Sequence, residues 1–223
     1  MPLTLYQLKP AFQSLLRPLV ARLARRGVTA NVVTTVALLG SATLGTLLAL
    51  YPGRTALFLL LPVWMLVRMG LNAIDGMLAR EFGQQSALGA YLNELADVVS
   101  DAALMLPFVF VPPLGWASVG AVIFLATVSE MAGALGPMVG APRRYDGPMG
   151  KSDRAFAFGA LALAVGLLDG LPGWAFWLMP AIGFAIFINT INRVRNGVRA
   201  ARRVTPCTDA IHSAPTHSDA AQS

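Results

Sequence analysis

The sequence predicts an all-α integral membrane protein, with six transmembrane helices preceded by an N-terminal interfacial amphipathic helix. Three observations carry this reading. Of the 223 residues, 56% are hydrophobic and only 13% are charged, giving a mean hydropathy of +0.62. Six long apolar stretches follow one another with Pro- and Gly-containing breaks between them. The basic residues gather on alternate connections. A composition this apolar excludes a disordered chain and an ordinary water-exposed domain. The net charge of +6 is read as membrane orientation, so no nucleic-acid partner is expected. The single cysteine, Cys207, excludes an intramolecular disulfide framework and a multi-cysteine zinc site. No secretory leader is expected, because the first long apolar run follows Arg22, Arg25 and Arg26 and continues into further spans.

Residues 1–28 are read as the interfacial helix. Phe12, Leu15, Leu16, Leu19, Val20 and Leu23 recur at helical spacing, with Arg17 and Arg25 away from them and Pro18 expected to bend the helix. Residues 29–203 form the membrane domain. A span needs roughly 20 apolar residues, and six stretches approach or exceed that length: 31–50, 55–79, 86–111, 116–139, 155–171 and 174–192. The breaks are Tyr51-Pro52-Gly53, Glu81-Phe82-Gly83, Val111-Pro112-Pro113, the loop 140–154, and the run from Asp169 to Gly173. Residues 204–223 are polar and small, and are expected to form a flexible tail in which His212, His217 and Cys207 are too poorly spaced to hold a metal. Fifteen of the 17 Lys and Arg residues fall on one side, with Arg54 opposite and Arg68 inside a span. The positive-inside rule therefore puts both termini in the cytoplasm, and a bacterial inner membrane is the expected location.

Charges inside spans are costly and mark function. Here they are Arg68, Asp75, Glu94, Asp97, Asp101 and Glu130. Helical spacing puts Arg68, Asn72, Asp75 and Ala79 on one stripe of the second span and Gly89, Asn93, Asp97 and Asp101 on one stripe of the third. Asp75 lies at the C-terminal end of its helix, where the macrodipole disfavours a carboxylate, so it needs a cationic partner. An all-oxygen set of carboxylates and amides suits a hard cation such as Mg²⁺ or Mn²⁺, which commonly holds phosphate. Gly76 and Gly89 leave room for a ligand and Arg80 offers a fork of donors to a phosphate, so the set reads as a diphosphate cradle. Glu130 is a lone acid in reach of Arg68 or the acceptor pocket, and a structural pair is expected.

At these residues the sequence resembles the CDP-alcohol phosphatidyltransferase family, whose signature is D-x2-D-G-x2-A-R-x8-G-x3-D-x3-D. Here it reads N-x2-D-G-x2-A-R-x8-G-x3-N-x3-D from Asn72 to Asp97. Asp75, Gly76, Ala79, Arg80, Gly89 and Asp97 keep the spacing, and Asn72 and Asn93 replace two aspartates. Thr29-Ala30-Asn31 resembles the family's opening of the first span, and Gly150-Lys151-Ser152-Asp153-Arg154 its basic element before the fifth.

The resemblance implies transfer of a phosphatidyl group from CDP-diacylglycerol to an alcohol acceptor, with release of CMP, in phospholipid biosynthesis. Carried over residue by residue, it makes Asp97 the general base and Asn72, Asp75, Asn93 and Asp97 the metal set, with Glu94 the expected compensation for the missing aspartates and Asp101 a more distant candidate. Gly76, Ala79 and Gly89 would make room for the cytidine diphosphate, Arg80 would pair with its phosphates, and Lys151 and Arg154 would meet phosphate at the cytoplasmic interface. Plain positive-inside charge explains the last two equally well, and pairing with Arg68 or Arg80 is the other reading of Glu94 and Asp101. A homodimer in contact with membrane lipids is implied as well. Two other classes remain: a catalytically silent relative that binds CDP-lipid or metal as a partner subunit, suggested by the two lost aspartates, and a small transporter, which does not predict Gly76, Arg80 and Gly89 at this spacing.

Overall fold

The computed structural model describes the backbone of residues 5–204 and the side chains of residues 12–202. The tail from 205 onward, with Cys207, His212 and His217, lies outside the described residues. Among those described there are seven α-helices and no strand: α1 (Leu5–Arg25), α2 (Ala30–Leu50), α3 (Leu60–Glu81), α4 (Ala87–Met105), α5 (Trp116–Ala134), α6 (Lys151–Leu168) and α7 (Leu178–Val204). Short 3-10 turns at Thr55–Leu59 and Gly173–Trp177 lead into α3 and α7, and others at Leu106–Phe110 and Gly136–Val139 follow α4 and α5.

The helix starts follow local chemistry. Thr29 caps α2, its Oγ1 accepting from Val32 N–H, and Ser86 caps α4 through Gly89 N–H at 3.0 Å. One boundary differs from expectation. Residues 151–154, assigned to a loop, form the first turn of α6, because Asp153 accepts the Gly150 N–H at 2.9 Å and places a carboxylate in that turn. The last helix also runs beyond 192 to Val204, since no Gly-Pro stop precedes Pro206. The N-terminal helix continues through Pro18 to Arg25.

Four segments are long and apolar enough to cross a membrane: Ala30–Leu50, Thr55–Glu81, Trp116–Ala134 and Gly173–Arg202. Of the six expected spans, α4 and α6 are not among these four; α4 carries Glu94, Asp97 and Asp101, and α6 begins on Lys151, Asp153 and Arg154. Much of the outer face is nevertheless apolar. Val63, Leu66 and Val67 of α3, Phe124 and Met131 of α5, and Phe184 and Phe187 of α7 are all exposed, as expected where lipid rather than water is the neighbour.

α2 packs on α3 and α4, α5 on α7, and α6 on α3 and the turn before it. The larger apolar core lies toward the end where Thr55 Oγ1 bonds Asp169 Oδ1 at 2.5 Å. There Phe58, Phe108 and Phe158 stack edge to face with centroids 5.4 and 5.3 Å apart, drawing together the starts and ends of α3, α4 and α6. The smaller core lies at the other end. Val20 of α1 joins Ala30, Val33, Ile74, Met77 and Leu78, with Leu16 and Leu23 beside it, while Leu15 and Leu19 stay exposed. The α1 stripe thus splits between the bundle and its surroundings, and Arg17 grips Glu81 of α3 through two contacts of 3.1 Å.

The connection between α5 and α6 is folded back on the bundle. Ala141 and Arg144 N–H bond the carbonyls of Gly136 and Gly133 at 3.0 and 3.1 Å, and the Arg144 fork on Asp146 holds that carboxyl below its ordinary range. Gly147 adopts φ +123° with Asn189 Oδ1 only 1.8 Å from where a Cβ would stand. Gly147→Ala therefore meets both backbone strain and a clash, and should cost about 1–3 kcal/mol. A thermal midpoint equal to that of the unaltered protein would show that the loop does not rest on Asn189.

Candidate active site

The polar end of the bundle collects the signature residues. The stripe on α3 turns inward as its spacing requires, with Arg68 and Asp75 buried at 4% and 5% exposure. Asp75 Oδ2 accepts from Thr34 Oγ1 of α2 at 2.8 Å, and Asp75, Asp97 and Lys151 are close enough that their charges act on one another. Asp97 of α4 is met from two helices: the Lys151 ammonium of α6 contacts Oδ1, and Arg68 Nη2 lies 3.4 Å from Oδ1 and 3.1 Å from the Asp97 carbonyl. Asn72 Nδ2 reaches the same Oδ1 at 3.5 Å. The structure thus gathers Asn72, Asp75, Asp97 and Lys151.

The two glycines are filled from within the chain. A Cβ on Gly76 would stand 2.8 Å from Arg80 Nη2, so the absent side chain lets the exposed Arg80 guanidinium fold back over α3. On Gly89 a Cβ would stand 2.8 Å from Asn31 Oδ1, so α2 and the start of α4 approach closely there. Ala79 borders the apolar cluster around Val20 and Met77. Asn93 is half-buried on α4.

Two expected site residues are held elsewhere. Glu94 contacts Arg143 Nη1 from the loop between α5 and α6 instead of joining Asp75 and Asp97. Arg154 is fully buried and bonded by Nη2 to Asp101 at 3.1 Å and Glu130 at 2.8 Å, so it faces internal carboxylates and not the open interface. The reason is the same in both cases. Burying an ionised group costs several kcal/mol unless an opposite charge meets it, and the returning loop and the first turn of α6 bring those charges. Asp101 pairs with Arg68 at 2.5 Å, as one reading of the sequence expected. Glu130 forms a structural cluster, but with Arg154, Arg193 at 3.4 Å and Arg143 at 3.5 Å, and not with Arg68.

Sequence reasoning missed Thr34, Gln84, Arg143 and Arg193. Gln84 ties the α3–α4 connection to the start of α2, its Oε1 accepting from Ala30 N–H at 2.7 Å. Arg193 donates to the Ser129 carbonyl at 2.6 Å, and Asn189, one turn earlier on α7, donates to Ser129 Oγ at 2.9 Å. The Asn189/Arg193 spacing of four was the available signal.

Among the described residues no three His, Cys, Asp or Glu side chains gather in a group able to hold a metal. A cation here would therefore rest on two carboxylates, Asp75 and Asp97, and on amide oxygens of Asn72 and Asn93. That donor set is hard and all-oxygen, and Asp97 already sits against a positive group, Lys151, so the chemistry fits Mg²⁺ or Mn²⁺.

A sequence profile of CDP-alcohol phosphatidyltransferases matches residues 27–187. The chain belongs to the CDP-alcohol phosphatidyltransferase family. It is 47% identical over 194 residues to the inner membrane protein YnbA of Escherichia coli strain K12, a match covering 87% of this chain and 96% of YnbA. Its fold is shared with phosphatidylinositol phosphate synthase PgsA1 of Mycobacterium tuberculosis at 20% identity and a TM-score of 0.64. The crystal structure of PgsA1 in complex with manganese and citrate covers 81% of this chain and 88% of its own. The one with CDP-DAG bound covers 82% and 92%. Within the family signature, Asn72 and Asn93 are this chain's departures.

The Glu130 cluster yields a stability test. The side chains of Arg154 and Arg193 are each 1% exposed, so Glu130→Gln leaves buried positive charge uncompensated and should cost about 3–5 kcal/mol. Adding Arg154→Met to Glu130→Gln should recover part of that loss in a double-mutant cycle read by thermal unfolding. Strictly additive losses would mean that the two side chains do not interact.

Proposed function

We propose that the chain is a phosphatidyltransferase that joins an alcohol to the phosphatidyl group of CDP-diacylglycerol and releases CMP. The observation that carries this reading is the convergence of Asp75, Asp97, Asn72 and Lys151 from three helices, with Arg80 folded over Gly76 on the neighbouring face of α3. Residues 29–203 are read as the catalytic membrane unit, with α1 along the interface. All six helices from α2 to α7 cross the membrane in this reading. α4 turns Glu94, Asp97 and Asp101, and α6 Lys151 and Arg154, onto partners, and large apolar residues face outward: Leu88, Tyr91, Leu95 and Val99 on α4, Phe156, Leu163 and Leu167 on α6. The basic connections support a cytoplasmic site and termini, the name of the E. coli relative supports an inner membrane, and the homodimer rests on the family resemblance.

Asn72, Asp75, Asn93 and Asp97 would hold the divalent cation, which neutralises diphosphate charge when bound. Arg80 grips the phosphates from over Gly76, where only hydrogen leaves the guanidinium room to fold back. Asp97 accepts the proton of the acceptor hydroxyl as its oxygen bonds to the phosphorus that carries the diacylglycerol. The bond from that phosphorus to the bridging oxygen breaks, and CMP leaves with the bonding pair. Arg68 fixes Asp97 by contacting both its carbonyl and its carboxylate, and positioning of this kind supplies much of the rate in phosphoryl transfer. A lipid donor accounts for a polar site recessed among apolar helices, and a water-soluble headgroup accounts for its place at their ends.

A second reading, a CDP-lipid-binding relative without activity, is favoured by the two asparagines, which leave only two carboxylates for the cation. Purified protein in nanodiscs, given CDP-diacylglycerol, Mn²⁺ or Mg²⁺ and a panel of alcohols, should release CMP, and a chelator should stop it. Asp97→Asn should lower the rate by about 10²–10⁴-fold, the usual weight of a general base, with CDP-lipid binding retained. Binding without CMP release by the unaltered protein under every acceptor would establish the inactive reading.

A further inference from the structure

Three partly exposed cations at the polar end of the bundle, Lys151, Arg143 and Arg144, each already have a carboxylate against them. Lys151 contacts Asp97, Arg143 contacts Glu94, and Arg144 forms a two-pronged pair with Asp146 at 2.7 and 2.8 Å. Their side chains are 31%, 24% and 21% exposed, so these are the groups a soluble acceptor would meet. Three further arginines of this end are buried out of its reach. Arg68, Arg154 and Arg193 have side chains 5%, 1% and 1% exposed and are spent on Asp101, Glu130 and the carbonyls of Asp97 and Ser129. Arg80 lies over Gly76 on the donor side.

A phosphate monoester brings a charge of about −1.5 to −2 at neutral pH. In this cleft it would have to take a guanidinium from an internal carboxylate and leave that carboxylate facing it. Like charge set against a ligand is how a site rejects it. An alcohol without phosphate meets no such opposition. What remains for it is hydrogen bonding: the Arg143 side chain is 24% exposed, and a hydroxyl oxygen accepts from an N–H without adding charge.

We propose that the acceptor is an alcohol that carries no phosphate, and that Glu94 sets this choice by neutralising Arg143. The inference rests on the phosphatidyltransferase reading and adds a substrate class to it. Glu94 acts here as a specificity residue, through Arg143 and not through the reacting atoms. Removing its charge while keeping its shape leaves Arg143 with only the longer contact to Glu130 at 3.5 Å, and so frees one edge of the guanidinium for an anion.

The test uses full-length protein in nanodiscs with CDP-diacylglycerol and Mn²⁺. Glycerol, myo-inositol and serine are compared with glycerol 3-phosphate and inositol 1-phosphate by CMP release and product identity. The unaltered protein is expected to use one of the first three and neither phosphorylated alcohol, and the three arms distinguish a polyol from an amino alcohol. Glu94→Gln should shift the kcat/KM ratio toward the phosphorylated acceptor by about tenfold or more, a charge-pair's worth of discrimination. A second readout needs no turnover. Inorganic phosphate and glycerol 3-phosphate should raise the thermal midpoint of Glu94→Gln and not that of the unaltered protein. Preference of the unaltered protein for a phosphorylated acceptor overturns the proposal, and that arm decides even where the variant does not fold. An unchanged preference and no phosphate stabilisation in folded Glu94→Gln overturn the role of Glu94. Absence of CMP release with all five acceptors removes the transferase reading itself, and this inference with it.

Discussion

The bundle depends on one constraint: α4 carries three carboxylates on successive turns, and none of them can be buried without a cation from another helix. Arg68 of α3 reaches Asp101 and Asp97, Lys151 and Arg154 of α6 reach the same two, and Arg143 of the returning loop takes Glu94. Each pair fixes where one helix stands relative to α4. Ion pairs buried in this way contribute little net stability over apolar packing, whereas breaking one leaves an uncompensated charge at several kcal/mol. They act mainly on register. A slide of α6 by one turn would move Lys151 from Asp97 and Arg154 from Asp101 and Glu130 together, so the apolar remainder of the helix is confined to one setting.

The two ends of the molecule then divide the work. The end containing Phe58, Phe108 and Phe158 is held by apolar contact with no buried charge in its cluster, and its close packing gives α3, α4 and α6 a rigid base. The opposite end holds the polar set, where the helices carry polar and charged side chains inward and the loop 140–150 closes over α5 and α7. Rigidity at one end allows precision at the other. Asp75 and Asp97 belong to different helices, and their relation depends on how those helices are fixed below them.

How far this arrangement is legible in the sequence follows from the range of the interactions. The helices were readable because apolar length and Pro-Gly breaks are local, and the inward stripes of α3 and α4 because a period of 3.6 is local too. Asp75, Asp97 and Asn72 could be brought together on that basis. The α6 boundary was missed although Asp153 stood three residues after Gly150, since a basic run before an apolar one also reads as a loop. The partners of Glu94, Glu130 and Arg154 were not readable. They depend on how the loop 140–150 returns across α5, and that is set by contacts such as Gly147 on Asn189, 42 positions apart. Charge counting along the chain assigned Arg143, Arg154 and Arg193 to membrane orientation, whereas Arg154 and Arg193 are among the most buried side chains of the fold.

The replacement of two aspartates by Asn72 and Asn93 is best understood as part of the same charge balance. Asp75, Asp97 and Lys151 together carry a charge of −1. On the proposed reading, one divalent cation, one diphosphate carrying about two negative charges and the Arg80 guanidinium bring that group to neutrality. Two further aspartates would leave it strongly negative and would call for a second cation. The amides keep an oxygen donor at each position and remove the charge that would need it. With Lys151 already against Asp97, the chain has its own positive group where a second ion would otherwise be required. The asparagines are therefore compatible with a working site that relies on a single bound cation and on Lys151, and they do not by themselves imply that catalysis has been lost.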